Sequence, residues 1–333
     1  MPERNISNAL QQARKKNIHT MGWLRIMLTP FTFVLQNTIK LSRMLGLENT
    51  LFEVFFRNVR IRNESAFADY TPTKNDIFIC SYIKSGTNWA MQIAHQIANR
   101  GQGEYENIHD VVSWPEVPIK NFAIPLLDTS QSKKSVTGLR VIKTHLEGNL
   151  VPHNEHAKYI CVVRDPKDVV VSSYFFMRTA LFGKLMPSVS AWLNNFLSDV
   201  AIHGPWANFL HTYWLWQDRD NVLFLTYEDM IEDLPGVIRK IASFVTVDLT
   251  DEEFERICYL SSYSHMKAID HKFYPGRITP FSLPVGCMMR NGKSKNASEL
   301  FNAEQQAQID EHSRRALEKL GCDFPYDEHF KIN

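Results

Sequence analysis

From Asn63 onward, short apolar runs of strand length alternate with longer stretches in which apolar residues recur at helical spacing. Ile77-Phe78-Ile79-Cys80-Ser81-Tyr82 predicts a buried strand, and after the turn Lys84-Ser85-Gly86-Thr87-Asn88 the apolar positions Trp89, Ile93 and Ile97 predict a helix. Three further strands are predicted at Leu139–Lys143, ending at Thr144-His145, at Tyr159–Val163, ending at Arg164, and at Val222–Leu225, ending near Tyr227. Strands separated by helical stretches require crossover connections. The pattern therefore predicts a single α/β domain, with a central, mainly parallel sheet flanked by helices and with ligands beyond the carboxyl ends of the strands.

The amino-terminal part reads differently, because Met21 to Leu47 is dense in Met, Trp, Leu, Ile and Phe. Its longest uncharged stretch, between Arg25 and Lys40, has 14 residues and contains Pro30, whereas a membrane-spanning helix takes roughly 17–25 mostly apolar residues. It is too short to span. Gln36-Asn37-Thr38 is also a poor cleavage site for a secretory signal. Two readings stay open for residues 20–47: helices packed on the domain, or, given the flanking Lys15, Lys16, Arg25, Lys40 and Arg43, an interfacial segment that touches lipid or shapes access for a hydrophobic substrate. The expected layout is a helical amino-terminal extension over 1–62 and the α/β domain over 63–333.

Lys and Arg total 37 against 36 Asp and Glu, so no overall basic excess steers the chain onto nucleic acid. An anion must be bound locally. The five cysteines, Cys80, Cys161, Cys258, Cys287 and Cys322, are odd in number and widely spaced without a C-x-x-C pair. They read as free thiols in a reducing, cytoplasmic compartment, and no cluster of His, Cys or carboxylates calls for a metal.

Lys84-Ser85-Gly86-Thr87-Asn88-Trp89 lies between a strand and a helix, where backbone N–H groups favour an anion; Gly86 lets the backbone approach it closely. The nucleoside-triphosphate loop places its Lys after the second Gly, and here Lys84 precedes the only Gly, which disfavours a kinase. An ordinary helix start capped by Ser85 or Thr87 is the plainer alternative. Arg164-Asp165-Pro166-Lys167-Asp168 follows a strand and leads toward Ser172; Arg164 and Ser172 meet one anion only if the loop folds back over the helix that Pro166 starts.

Together these residues resemble the cytosolic-type sulfotransferases, which use 3′-phosphoadenylyl sulfate (PAPS). Tyr82-Ile83-Lys84-Ser85-Gly86-Thr87-Asn88-Trp89 is similar to that family's P-loop-like phosphosulfate-binding loop, and Lys143-Thr144-His145-Leu146 to its catalytic strand end. Arg164 followed eight positions later by Ser172 resembles its 3′-phosphate site; Tyr227-Glu228-Asp229-Met230 also matches, and Ser261-Ser262-Tyr263 with Met266-Lys267 resembles its adenosine-contacting segment. The resemblance runs from about Tyr70 to Gly292. It implies sulfuryl transfer from PAPS to a hydroxyl, release of 3′,5′-ADP, and no metal. It further implies His145 as general base, Lys84 at the departing bridging oxygen, Lys143 on the sulfuryl oxygens, Ser172 and Arg164 on the 3′-phosphate, and Trp89 and Tyr263 against adenine. Arg290, Asn291 and Gly292 correspond to the start of the segment that closes over the nucleotide.

That segment keeps the family's Arg and first Gly in Arg290 and Gly292 and departs from it elsewhere. The second Gly, the Trp and the last Lys are replaced in Lys293-Ser294-Lys295-Asn296-Ala297-Ser298, where Lys293 or Lys295 is expected to supply the missing charge. The family's dimer motif is not recognisable around Ser298–Ala307, which leaves monomer and dimer open. Trp114, Phe122, Phe175, Phe176 and Phe182 suggest an apolar pocket for a small lipophilic alcohol or phenol. A lipid or glycan acceptor is the variant of this reading. A nucleotide-binding protein that has lost turnover is its rival.

Overall fold

The computed structural model describes residues 4–58, 63–117, 119–276, 278–283 and 288–330; Cys287 and residues 59–62 at the expected domain boundary lie outside them. Among the described residues five strands form one sheet: β1 (Asp76–Ser81), β2 (Val112–Ser113), β3 (Arg140–Thr144), β4 (Lys158–Val163) and β5 (Val222–Thr226). Their order is β2-β3-β1-β4-β5, and every neighbouring pair is parallel. Helices cover both faces, as the continuous burial of β1 requires.

The two apolar faces of β1 build two cores. Phe78 and Cys80 face one that contains Tyr159, Tyr213 and Trp206, while Ile77 and Ile79 face another built on Ile93, Ile97 and Ile241. Register is fixed at the polar end of the sheet by a buried network: Arg140 Nε donates to Asp76 Oδ1 at 2.7 Å, and the Tyr70 hydroxyl donates to Asp76 Oδ2 at 2.6 Å. Asp76 and Arg140 are paired across β1 and β3, so this ion pair locks the strands at their first residues.

β1 and β3 are adjacent, and β4 lies on the other side of β1. The chain leaves β1 to form α4 (Thr87–Ala98) on one face, and it leaves β4 to form the helix Pro166–Met177 on the other, where that helix contributes Val169, Val170 and Val171 to the first core. The crevice beyond the carboxyl ends of the central strands is the expected ligand position in such a sheet. Ahead of the sheet lie three helices, α1 (Arg4–Met27), α2 (Thr29–Met44) and α3 (Glu48–Asn58). Pro30 in the first turn of α2 ends α1, because a proline within a continuous helix removes a donor and clashes with the preceding turn.

Candidate active site

One open cavity of about 1600 Å³, counting its mouth, lies at the carboxyl ends of the strands. Lys84, Gly86, Thr87, Asn88, Trp89, Lys143, His145, Arg164, Ser172, Tyr227, Tyr263, Arg290, Asn291 and Gly292 all line it. Residues separated by more than 200 positions are thus gathered by the parallel topology.

The turn after β1 is bent by two residues in the left-handed region, Lys84 at φ 65° and Gly86 at φ 96°. A Cβ on Gly86 would lie 2.8 Å from the Tyr227 ring, so glycine is required both by conformation and by space. Gly86 precedes α4 and no side chain caps that helix. Thr87 Oγ1 pairs instead with Ser81 Oγ at 2.6 Å, and Ser85 Oγ is buried without a hydrogen-bond partner. The plain capping role is excluded for both residues, and the first N–H groups of α4 remain for an anion.

At the end of β3, Lys143 is buried with Nζ 3.5 Å from the centroid of the Trp114 ring. Burial pushes its pKa down to about 7; Glu116 pulls it upward and Lys84 lowers it further. His145 Nδ1 lies 2.7 Å from the Ser81 carbonyl oxygen, which fixes Nδ1–H as the donor and leaves Nε2 as the basic atom. Enclosure by protein and the neighbouring Lys143 hold the imidazole pKa well below its ordinary value, so the ring is neutral at pH 7. Lys84 extends over the Phe176 ring at 4.6 Å.

Glu116 belongs to this centre and was not anticipated. Its Oε1 accepts the backbone N–H of His145 at 2.6 Å and the indole N–H of Trp114 at 2.9 Å, while Oε2 is buried without a hydrogen-bond partner. Burial raises its pKa. The one hint in the sequence is a carboxylate standing between Pro115 and Val117 in a largely apolar loop.

The helix Pro166–Met177 is capped by Asp165, and Arg164 folds back so that it shares the cavity with Ser172. Arg164 donates to the Lys84 and Lys293 carbonyls at 3.0 and 3.1 Å and stacks 4.1 Å over Tyr227, while its Nε is buried without a partner. Asp168 accepts the backbone N–H groups of Lys295 and Asn296 at 2.9 and 2.7 Å. The segment after Arg290 is therefore tied to the same helix by main-chain hydrogen bonds. Neither Lys293 nor Lys295 lines the cavity. Gly292 packs against the face of Tyr263, where a Cβ would come within 2.3 Å of the ring.

Trp89 Nε1 donates to the Ser261 carbonyl at 2.7 Å and the indole meets Tyr227 edge-on. Ser261 itself is buried behind the wall, its Oγ without a partner, as is Arg290 Nε. Of these unpartnered atoms, Arg164 Nε and Arg290 Nε belong to residues that line the cavity, whereas Ser85 and Ser261 do not line it. Such atoms are rare in folded chains and suit a polyanionic ligand with polar rings.

The aromatic residues separate. Trp114 and Phe176 line the cavity, and Phe175 lines an adjoining one with Ser172 and Arg290. Phe122 is buried behind His109 and Trp114, and Phe182 packs edge-on against Phe55 and Phe56 of α3, so neither is on the cavity wall. The apolar wall is completed instead by residues the sequence did not single out, among them Ile83, Ile119, Met177, Leu181 and Ile278.

Residues 74–321 match the family model described as the sulfotransferase domain. The chain belongs to the sulfotransferase family. It is 31% identical to sulfotransferase 1 family member D1 of Rattus norvegicus over 75% of this chain and 86% of that one, and 29% identical to sulfotransferase 1A1 of Mus musculus over 78% and 89%. Among solved structures it shares its fold with mouse sulfotransferase SULT7A1 complexed with PAP, at a TM-score of 0.58 and 24% identity over 77% of this chain and 90% of that one. Retinol dehydratase in complex with androsterone and the inactive cofactor PAP gives a TM-score of 0.62 at 22% identity, covering 80% and 86%. The sulfotransferase domain takes in β1 through the helix Ala303–Lys319 and so contains every wall of the cavity.

Proposed function

We propose that the chain moves the sulfuryl group of PAPS to the hydroxyl of a small lipophilic acceptor, releases 3′,5′-ADP and uses no metal. Residues 63–333 form the transferase domain in this reading, 1–62 a helical extension. The unpaired thiols of Cys80, Cys161, Cys258 and Cys322 fit a cytoplasmic setting. The nucleotide loop at Lys84–Trp89, the buried unpartnered donors, and the PAP named in the solved relatives support the donor; the mostly apolar remaining wall supports the acceptor.

One observation carries the mechanism: a neutral imidazole, fixed as a donor through Nδ1, shares a cavity with two lysines. PAPS supplies an activated S–O bond. His145 takes the acceptor hydroxyl proton on Nε2 as that oxygen bonds to sulfur, and Lys84 stabilises charge on the bridging phosphate oxygen as the S–O bond breaks. Lys143 in its protonated form stabilises the sulfuryl oxygens. Arg164 and Ser172 hold the 3′-phosphate, with the Arg164 guanidinium suited to paired contacts with phosphate oxygens. Trp89 and Tyr263 flank the adenine. Transfers of this kind depend chiefly on positioning and charge neutralisation.

The test is the His145→Ala variant. Transfer of labelled sulfate from PAPS to 1-naphthol is expected to fall by about 10²–10⁴-fold, the range for removing a general base, while 3′,5′-ADP affinity changes little. Undiminished transfer by the variant removes His145 as the base. Equal loss of nucleotide binding makes its role structural.

A further inference from the structure

α2 has no buried residue, although Phe31, Phe33, Val34, Leu41 and Met44 make it strongly apolar; Phe33 is 67% and Met44 83% exposed. Trp23 and Met27 continue the uncovered surface onto α1. The polar side chains on and beside this surface are turned inward: Thr29, Thr32, Asn37 and Thr38 each donate to the carbonyl four residues back, at 3.0, 2.8, 3.0 and 3.1 Å. A hydroxyl or amide satisfied by its own helix costs little in a water-poor medium.

Charge sets this region apart as well. Residues 4–47 hold seven Lys and Arg and no Asp or Glu, leaving 30 basic against 36 acidic residues in the rest of the chain; of the seven, Arg14 pairs with Asp110 and Arg43 with Glu48. Lys15, Lys16 and Lys40 are exposed. A symmetric contact between two copies would set this positive surface against itself, which disfavours a second chain as the cover. Uncovered large apolar side chains rimmed by lysines fit the headgroup region of an anionic bilayer. No helix among the described residues is long and apolar enough to cross a membrane, so the helices would lie along it.

The same helices are fastened to the cavity wall. Arg14 of α1 donates to the Phe122 carbonyl at 3.0 Å and pairs with Asp110, gripping the loop that carries His109 and Trp114. Ile18 packs against Gly276, next to Pro275 of the wall, and α3 holds Phe182, next to Leu181. We propose that α1 and α2 form a docking surface for an anionic lipid bilayer, and that the acceptor is a bilayer-resident hydroxyl compound delivered to the cavity beside it. The second half rests on the sulfuryl-transfer reading; the docking surface does not.

Flotation of the full chain with phosphatidylcholine vesicles, with and without about one-third phosphatidylserine, tests the first half. Binding is expected on the anionic vesicles and at least about tenfold less on neutral ones or in 0.5 M salt. The triple variants Phe33→Ser/Val34→Ser/Met44→Ser and Lys15→Glu/Lys16→Glu/Lys40→Glu should each lose about tenfold or more, with the thermal shift caused by 3′,5′-ADP unchanged. The surface is overturned by absence of flotation, by equal binding to neutral vesicles, by variants that bind like the parent, or by a soluble dimer that the serine variant dissolves. For the second half, sulfation of cholesterol in vesicles is expected to fall about tenfold in the serine variant while that of dissolved 1-naphthol is unchanged. Equal losses overturn bilayer delivery. Flotation with inactivity on both acceptors upholds the surface and overturns the transfer reading.

Discussion

Glu116 acts on His145 through the backbone, and on Lys143 through charge. Its Oε1 accepts from the His145 and Trp114 N–H groups, and its negative charge raises the pKa of a lysine that burial has pushed down to about 7. Glu116→Gln keeps an acceptor oxygen for both donors and removes the charge, so Lys143 loses its proton at lower pH. The proposed role of Lys143 requires its protonated form, so transfer is expected to fall as pH rises through its pKa, and the alkaline limb of the rate profile to move to lower pH in this variant. Glu116→Ala removes the same charge and also leaves each N–H unpartnered, at a cost of about 1–3 kcal/mol apiece, so kcat should fall at every pH in addition to the move of the limb. Profiles of both variants on 1-naphthol check this; a Gln variant with an unmoved limb sinks the charge role. No motif marks Glu116, because its contact is to main chain, 29 residues further along. His145, by contrast, stood out through Lys143 and a strand end.

Among the elements, four strands are legible to within one residue: β1, β4 and β5 are dense apolar runs that burial demands, and β3 carries Val141 and Ile142 between polar ends. β2 is not, because a two-residue edge strand beside Trp114 and Pro115 has no periodicity to read. Phe122 and Phe182 misled for a related reason: apolar character marks burial, and only packing decides which side of the wall a ring occupies. The altered stretch after Arg290 also owes its placement to backbone. Asp168 and Arg164 hold it through the N–H groups of Lys295 and Asn296 and the carbonyl of Lys293, contacts indifferent to the side chains that differ from the family. On the proposed reading Arg164 serves both the segment after Gly292 and the 3′-phosphate. Arg164→Ala is expected to weaken 3′,5′-ADP by about 2–5 kcal/mol, as for removing one partner of a buried charged contact, and 5′-AMP far less. Competition titrations of both nucleotides check the ratio; equal losses would mean that Arg164 holds the lid and not the 3′-phosphate.

Across the whole molecule, the nucleotide site joins elements from both cores: α4 from one face, the helix Pro166–Met177 from the other, and Tyr263 and Gly292 from the far part of the chain. No part of that site survives unfolding, so a ligand that fits it stabilises the native chain as a unit. At about 100 times its dissociation constant a ligand adds about 2.7 kcal/mol, which moves the midpoint of a chain this size by a few degrees. 3′,5′-ADP is expected to produce that shift in a thermal scan. At the same concentration 5′-AMP should shift it less, because it offers nothing to Arg164 and Ser172. Mg-ATP should shift it little, since Lys84 stands before Gly86 and not after a second glycine, so the turn lacks the lysine placement of a triphosphate loop. On the proposed assignment, only the first ligand would use the phosphate loop and the 3′-phosphate pair at once. A shift specific to it would mean that the segment after Gly292 closes the site despite its changed side chains, whereas a larger shift with Mg-ATP would refute the donor assignment.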